Sequence, residues 1–172
     1  ILVALYGYLF VLTQFTYSHH GFLFLMVLSI LAFSRCSDHL SLDAYFGAGR
    51  HRQLVSAVPI RLIQVLVTTI YLFSCASKLN QGWFGGSAIS LLIEDGRLIG
   101  VLGPVASMVP ARVLSVVVVF LEGFLVLGLW NVRLRHTAIL LGLTMHIGID
   151  MMMDVTTFGI QMMVLYIAFI DP

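Results

Sequence analysis

Charge is what this sequence has least of. Among 172 residues there are nine Lys or Arg and eight Asp or Glu, and Lys78 is the only lysine. With 60% hydrophobic and 10% charged residues, the chain is too apolar for a soluble domain of this size. It reads as a polytopic membrane protein. A net charge of +1 gives no argument for nucleic acid or acidic partners. Cysteine is scarce as well: Cys36 and Cys75 stand in no metal or redox spacing, read as unpaired thiols and leave the redox compartment undetermined. Also missing are a Gly-rich phosphate loop, a Ser/His/Asp arrangement and a nucleic-acid signature. No repeat or low-complexity tract divides the chain, so one membrane domain over 1–172 is expected. Ile1 opens an apolar stretch without an initiator methionine, which suggests that an upstream segment precedes it.

What is present is long apolar runs. A spanning helix needs about 20 mostly apolar residues, and six candidates appear: 1–15, 20–35, 58–78, 110–130, 135–153 and 157–170. The expected fold is therefore an all-α transmembrane bundle of about six helices. Residues 36–57 form a polar connection. Residues 79–109 form another, punctuated by Gly82, Gly85, Gly86, Gly96, Gly100, Gly103, Pro104 and Pro110. Within it SAISLLIEDGRLIGVL is amphipathic, suited to the interface or to re-entry. Six spans place Arg35, Arg50, Arg52, Arg61, Arg133 and Arg135 on one side, against Lys78, Arg97 and Arg112 on the other. The positive-inside rule makes the first side cytoplasmic. His20, Lys78, His146 and Asp150 then fall toward the outer half of the bilayer.

The third span, PIRLIQVLVTTIYLFSCASKLNQGW, carries a polar stripe. At ~100° per residue, Gln64, Thr68, Tyr71, Cys75 and Lys78 share one narrow face, with Arg61 just off it. Ionisable groups in membrane helices usually face a bundle interior or a wet cavity. On position alone Lys78 also suits an interfacial anchor that snorkels to the headgroups. Its place on the Gln64–Tyr71 face, one turn inside the interfacial Trp83, favours function. A lysine taken out of water there can serve as a neutral general base.

Other spans add candidates. In MHIGIDMMMD the i, i+4, i+8 spacing sets His146, Asp150 and Asp154 on one face. A carboxylate one turn away can orient the imidazole. No partner His/Glu motif completes a metal site, so no metal is expected. Glu122, near the centre of VVVVFLEGFLVLGLW, must be protonated, paired or in a cavity, with Arg61 or Tyr71 as possible partners. His19 and His20 open the second span, and adjacent residues on a helix point different ways, which leaves His20 as the candidate. The methionines at 151–153, with Met162 and Met163, read as packing material.

Taken in order, these motifs resemble the HTTM membrane domain, the fold of vitamin K-dependent gamma-glutamyl carboxylases and their bacterial relatives. The resemblance runs from about Ser18 to Phe169. It is carried by SHHGFLF, FSRCSDHLSLD, RLIQVLVTTIYLFSCASKLNQGWFGG, LEGFLVL and MHIG. It implies Lys78 as the base that deprotonates a reduced vitamin K (quinol), with His20 and His146 as supporting groups. Arg61, Gln64, Tyr71, Trp83, Glu122 and Asp150 are then candidates for holding substrate or cofactor. The product quinolate, with oxygen, would yield a strong base that removes a glutamate γ-proton, and carbon dioxide adds to the carbanion. The resemblance also implies a bacterial inner-membrane setting, a peptide substrate and a possible partner subunit. The chain departs from the carboxylases in having Ser77 where they carry a second basic residue, and the sequence runs only to Pro172 where the resemblance leads one to expect a large soluble region. That departure keeps two alternatives open: a non-catalytic membrane component for maturing or exporting a secreted peptide toxin, and a small transporter. The transporter lacks repeats or paired broken helices.

Overall fold

A computed structural model describes residues 1–12, 19–34, 56–153 and 156–170. Every regular element among them is helical: α1 (Leu2–Leu12), α2 (His19–Ala32), α3 (Val58–Lys78), α4 (Gln81–Phe84), α5 (Ser87–Glu94), α6 (Gly103–Ala106), α7 (Ala111–Gly128), α8 (Arg135–Met153) and α9 (Thr156–Leu165). A 3₁₀ turn, Tyr166–Phe169, continues α9. Helices α3, α7 and α8 are long and apolar enough to cross a membrane, while Leu2–Leu12, His20–Ala32 and Thr157–Phe169 are shorter apolar helices. All six coincide with the spans expected from hydropathy. Residues 36–55 of the polar connection, with Asp38, His39, Asp43, Arg50, His51 and Arg52, as well as Arg35 and Asp154, lie outside the described residues.

The chain forms two compact units, Ile1–Ile63 and Gln64–Pro172. In the first, α1 and α2 pack through aromatic edges: Tyr6 meets Phe24 at 5.1 Å between ring centroids, and Phe10 meets Phe22 at 6.3 Å. His20 is half-buried and Arg61 is exposed in this unit.

In the second unit the helices run in a readable register. Tyr71 of α3 meets both His146 of α8 and Tyr166, and Gln64 reaches the carbonyl of Ala168. Asp150 lies against Gly159 of α9. Helices α3 and α8 are therefore parallel, with α9 antiparallel to both. Lys78 and Asp150 consequently sit toward the same end of the unit, as the span count required.

The segment between α3 and α7 closes that end. Helix α3 stops at Lys78, and Asn80 then caps α4, its Oδ1 accepting from the Trp83 amide at 3.2 Å. Gly86 has φ +87, and a Cβ there would press into the backbone of Arg112. Only glycine meets both demands. Further on, the amides of Gly100 and Leu102 donate to the carbonyls of Met152 and Met151, each at 2.9 Å, satisfying acceptors that the last turn of α8 leaves open. The predicted amphipathic stretch is helical only over Ser87–Glu94. Its remainder turns at Gly96 (φ +63) and folds over the α8 terminus.

Candidate functional site

Each member of the α3 stripe is bonded to another part of the second unit. Gln64 Nε2 donates to the Ala168 carbonyl at 2.7 Å. Thr68 Oγ1 accepts from the indole of Trp130 at 2.7 Å while donating to the Gln64 carbonyl. Cys75 Sγ donates weakly to the Val119 carbonyl at 3.6 Å, and Gly123 lets that sulfur approach α7. The outer face of α3 presents Leu62, Val65, Leu72 and Phe73, all exposed, which suits lipid. Stripe and lipid face are thus separated as helical periodicity requires.

At the end of the stripe, Lys78 meets Glu122. Lys78 Nζ lies 2.8 Å from both Glu122 carboxylate oxygens and also donates to the hydroxyl of Ser74. Ser74 Oγ in turn donates to Glu122 Oε1 at 2.8 Å. The Ser74 carbonyl lies farther from Nζ, at 3.4 Å, and the two side chains make the contacts of an ion pair between α3 and α7. Its side chain is 14% exposed and that of Glu122 10%. The ring of Trp83 lies 5.2 Å from Nζ, within cation–π range. Glu122 therefore has Lys78 and Ser74 as partners, where the sequence suggested Arg61 or Tyr71.

About two helical turns back along α3 from Lys78, and one from Ser74, lies a second cluster. Tyr71 Oη is 2.7 Å from His146 Nε2 and is also bonded to the hydroxyl of Tyr166. The phenyl ring of Phe158 packs edge-on against the imidazole at 6.0 Å. Asp150, one turn beyond His146, makes no hydrogen bond to it. Its carboxylate rests on Gly159, and Oδ1 is buried with no hydrogen-bond partner among the described residues. No group of three or more His, Cys, Asp or Glu capable of holding a metal occurs among the described residues.

The site expected from sequence thus divides. Lys78, Glu122 and Trp83 come together, and Tyr71 and His146 come together about two turns back along α3. Gln64 lies further down the same face. His20 and Arg61 belong to the first unit. Sequence reasoning missed Ser74 and Tyr166. Ser74 stands three residues after Tyr71 and four before Lys78, a spacing that puts it between them. Tyr166 had a fainter signal in Gly142, four residues before His146 on the same face. A Cβ at Gly142 would collide with the phenol ring of Tyr166. Gly142→Leu is therefore expected to lower stability by roughly 1–3 kcal/mol through overpacking, measurable by thermal unfolding in detergent. An unchanged unfolding temperature would contradict this packing.

The HTTM domain family model matches residues 1–172, the whole chain. The chain belongs to the HTTM domain family. No curated protein matches it, and neither does any solved structure. Family membership associates the chain with membranes and relates it to the carboxylase family, in keeping with its three helices long enough to span.

Proposed function

We propose that this HTTM-domain protein is a membrane enzyme of vitamin K-dependent carboxylase-like chemistry, acting on a peptide at the outer half of the bilayer. The observation that carries the reading is the Lys78–Ser74–Glu122 arrangement, a nearly buried ion pair with an aromatic ring beside it. A reduced quinone needs flat apolar contact and a group that accepts its hydroxyl proton. Trp83 offers the first and the Lys78–Glu122 pair the second. A bound quinol, once deprotonated, supplies with oxygen the base that takes a glutamate γ-proton before carbon dioxide adds.

The chain's own part is proton handling. Lys78 Nζ passes one proton to a Glu122 oxygen 2.8 Å away, giving a neutral amine and a carboxylic acid. The amine is then free to accept a proton from an incoming hydroxyl, and the Ser74 hydroxyl holds both groups in place. Both states of the pair carry zero net charge, which suits a site shielded from water. The Arg-rich loops face the cytoplasm in this reading. To test it, membranes holding the protein are given reduced vitamin K, bicarbonate carrying a carbon label and a glutamate peptide. Quinol-dependent incorporation into the peptide is expected, and its absence would count against the reaction.

A second reading has its own support. Every polar group of the α3 stripe is occupied in hydrogen bonds within the second unit, as in a bundle that uses polar residues only as interhelical glue. A non-catalytic component for maturing or exporting a peptide would need no more than that. It predicts that changes at the pair alter stability and leave function intact wherever the fold survives.

A further inference from the structure

We infer that Tyr71 is a positioning residue that fixes the tautomer of His146, with its own proton directed onto Nε2 by Tyr166. The argument is an accounting of buried hydrogens. Tyr71, Tyr166 and His146 are 2%, 2% and 3% exposed, so the two phenol hydroxyls and Nε2 must be satisfied within the cluster, whereas Nδ1 is not among the buried atoms left without a partner. A buried hydrogen-bonding group left without a partner keeps its full desolvation penalty. Tyr166 Oη has one hydrogen-bond partner among the described residues, Tyr71 Oη. Tyr71 Oη has two, Tyr166 Oη and His146 Nε2.

Each phenol carries one hydrogen. If His146 Nε2 carried a proton and donated to Tyr71, Tyr71 would have to donate to Tyr166. The Tyr166 hydrogen would then be buried with no acceptor. The opposite arrangement leaves neither phenol hydrogen unused: Tyr166 donates to Tyr71, Tyr71 donates to Nε2, and the neutral imidazole carries its hydrogen on Nδ1. The doubly protonated imidazolium fails for the same reason as the first arrangement. Two donations in series also polarise each other, which strengthens the bond to Nε2.

The other ring nitrogen faces a complementary remainder. His146 presents an N–H at Nδ1, and one turn along the same helix face Asp150 Oδ1 is a buried acceptor without a partner. A water between them would join donor to acceptor. The consequence for catalysis rests on the function proposed above; the placement of the hydrogens does not. His146 can take the Tyr71 proton at Nε2 while Tyr166 stabilises the phenolate left behind. In the resting arrangement Nε2 carries no hydrogen, so His146 does not start as an Nε2–H donor to a reactant.

The test is nitrogen-15 NMR of the full chain in lipid with labelled histidine at neutral pH. The His146 signals are assigned by their loss in His146→Gln, or by through-space contacts to labelled tyrosine rings if that variant does not fold. The expected result is an unprotonated, hydrogen-bonded Nε2 and a protonated Nδ1. In Tyr71→Phe the hydrogen-bond shift at Nε2 should be lost and both tautomers should appear. A protonated Nε2 in the wild type would overturn the inference whatever the enzymatic activity. So would an unchanged Nε2 signal in folded Tyr71→Phe. If the expected spectrum is found in a protein that incorporates no labelled carbon, the inference stands and the proposed reaction falls.

Discussion

Glu122→Leu is expected to destabilise the protein by about 3–5 kcal/mol, the range seen when one partner is removed from a buried ion pair. Lys78 keeps little solvent contact, and of its acceptors only the hydroxyl and carbonyl of Ser74 would remain. The ammonium would then be stranded against leucine, with the Trp83 ring too weak a substitute for a carboxylate. The informative control is Lys78→Met combined with Glu122→Leu. Two apolar side chains of similar reach remove both charges together, and exchanging a buried pair for well-packed apolar residues is often neutral or stabilising. The double variant should therefore unfold close to the wild type and well above Glu122→Leu. Unfolding in detergent, followed by loss of helical signal, measures all three. A single variant as stable as the double would mean that the pair is not buried as described.

Lys78→Met is expected to lower quinol-dependent incorporation roughly 10²–10⁴-fold, the usual contribution of a positioned acid or base. The effect should appear in kcat, since the ammonium is already engaged by Glu122 and offers a substrate little extra binding. Glu122→Gln gives a finer test. The amide preserves one acceptor oxygen for Lys78 but cannot take its proton, so activity should fall by a similar factor at a smaller loss of stability. Activity that survives Glu122→Gln would place the proton elsewhere.

Hydropathy made the architecture legible because lipid imposes it. Apolar runs long enough to span, and a polar stripe segregated from Leu62, Val65, Leu72 and Phe73, follow directly from a solvent that cannot hydrogen-bond. The same logic placed Lys78 and Asp150 toward one end before any contact was known. The partners were harder to see. Helical periodicity says which face a residue shares within one helix, and nothing about which residue of another helix meets it. Glu122 could be assigned a need for a partner, yet choosing Lys78 over Arg61 or Tyr71 required the relative rotation and depth of α3 and α7. Tyr166 was illegible for the same reason, since an aromatic residue near the end of an apolar run reads as packing or interface. Asp150 shows the limit of spacing arguments: it shares a helix face with His146, but its carboxylate is drawn to the notch left by Gly159.

The central claim is that the Lys78–Glu122 pair is reactive and more than a staple between helices. The Lys78→Met, Glu122→Leu double variant separates these roles, because it keeps the packing and removes the proton-handling groups. The decisive measurement is labelled-carbon incorporation into a glutamate peptide by the wild type and by this double variant, at matched folded amounts and saturating reduced vitamin K. The account predicts quinol-dependent incorporation by the wild type, reduced at least about 10²-fold in the folded double variant. Equal incorporation by the two proteins would contradict it.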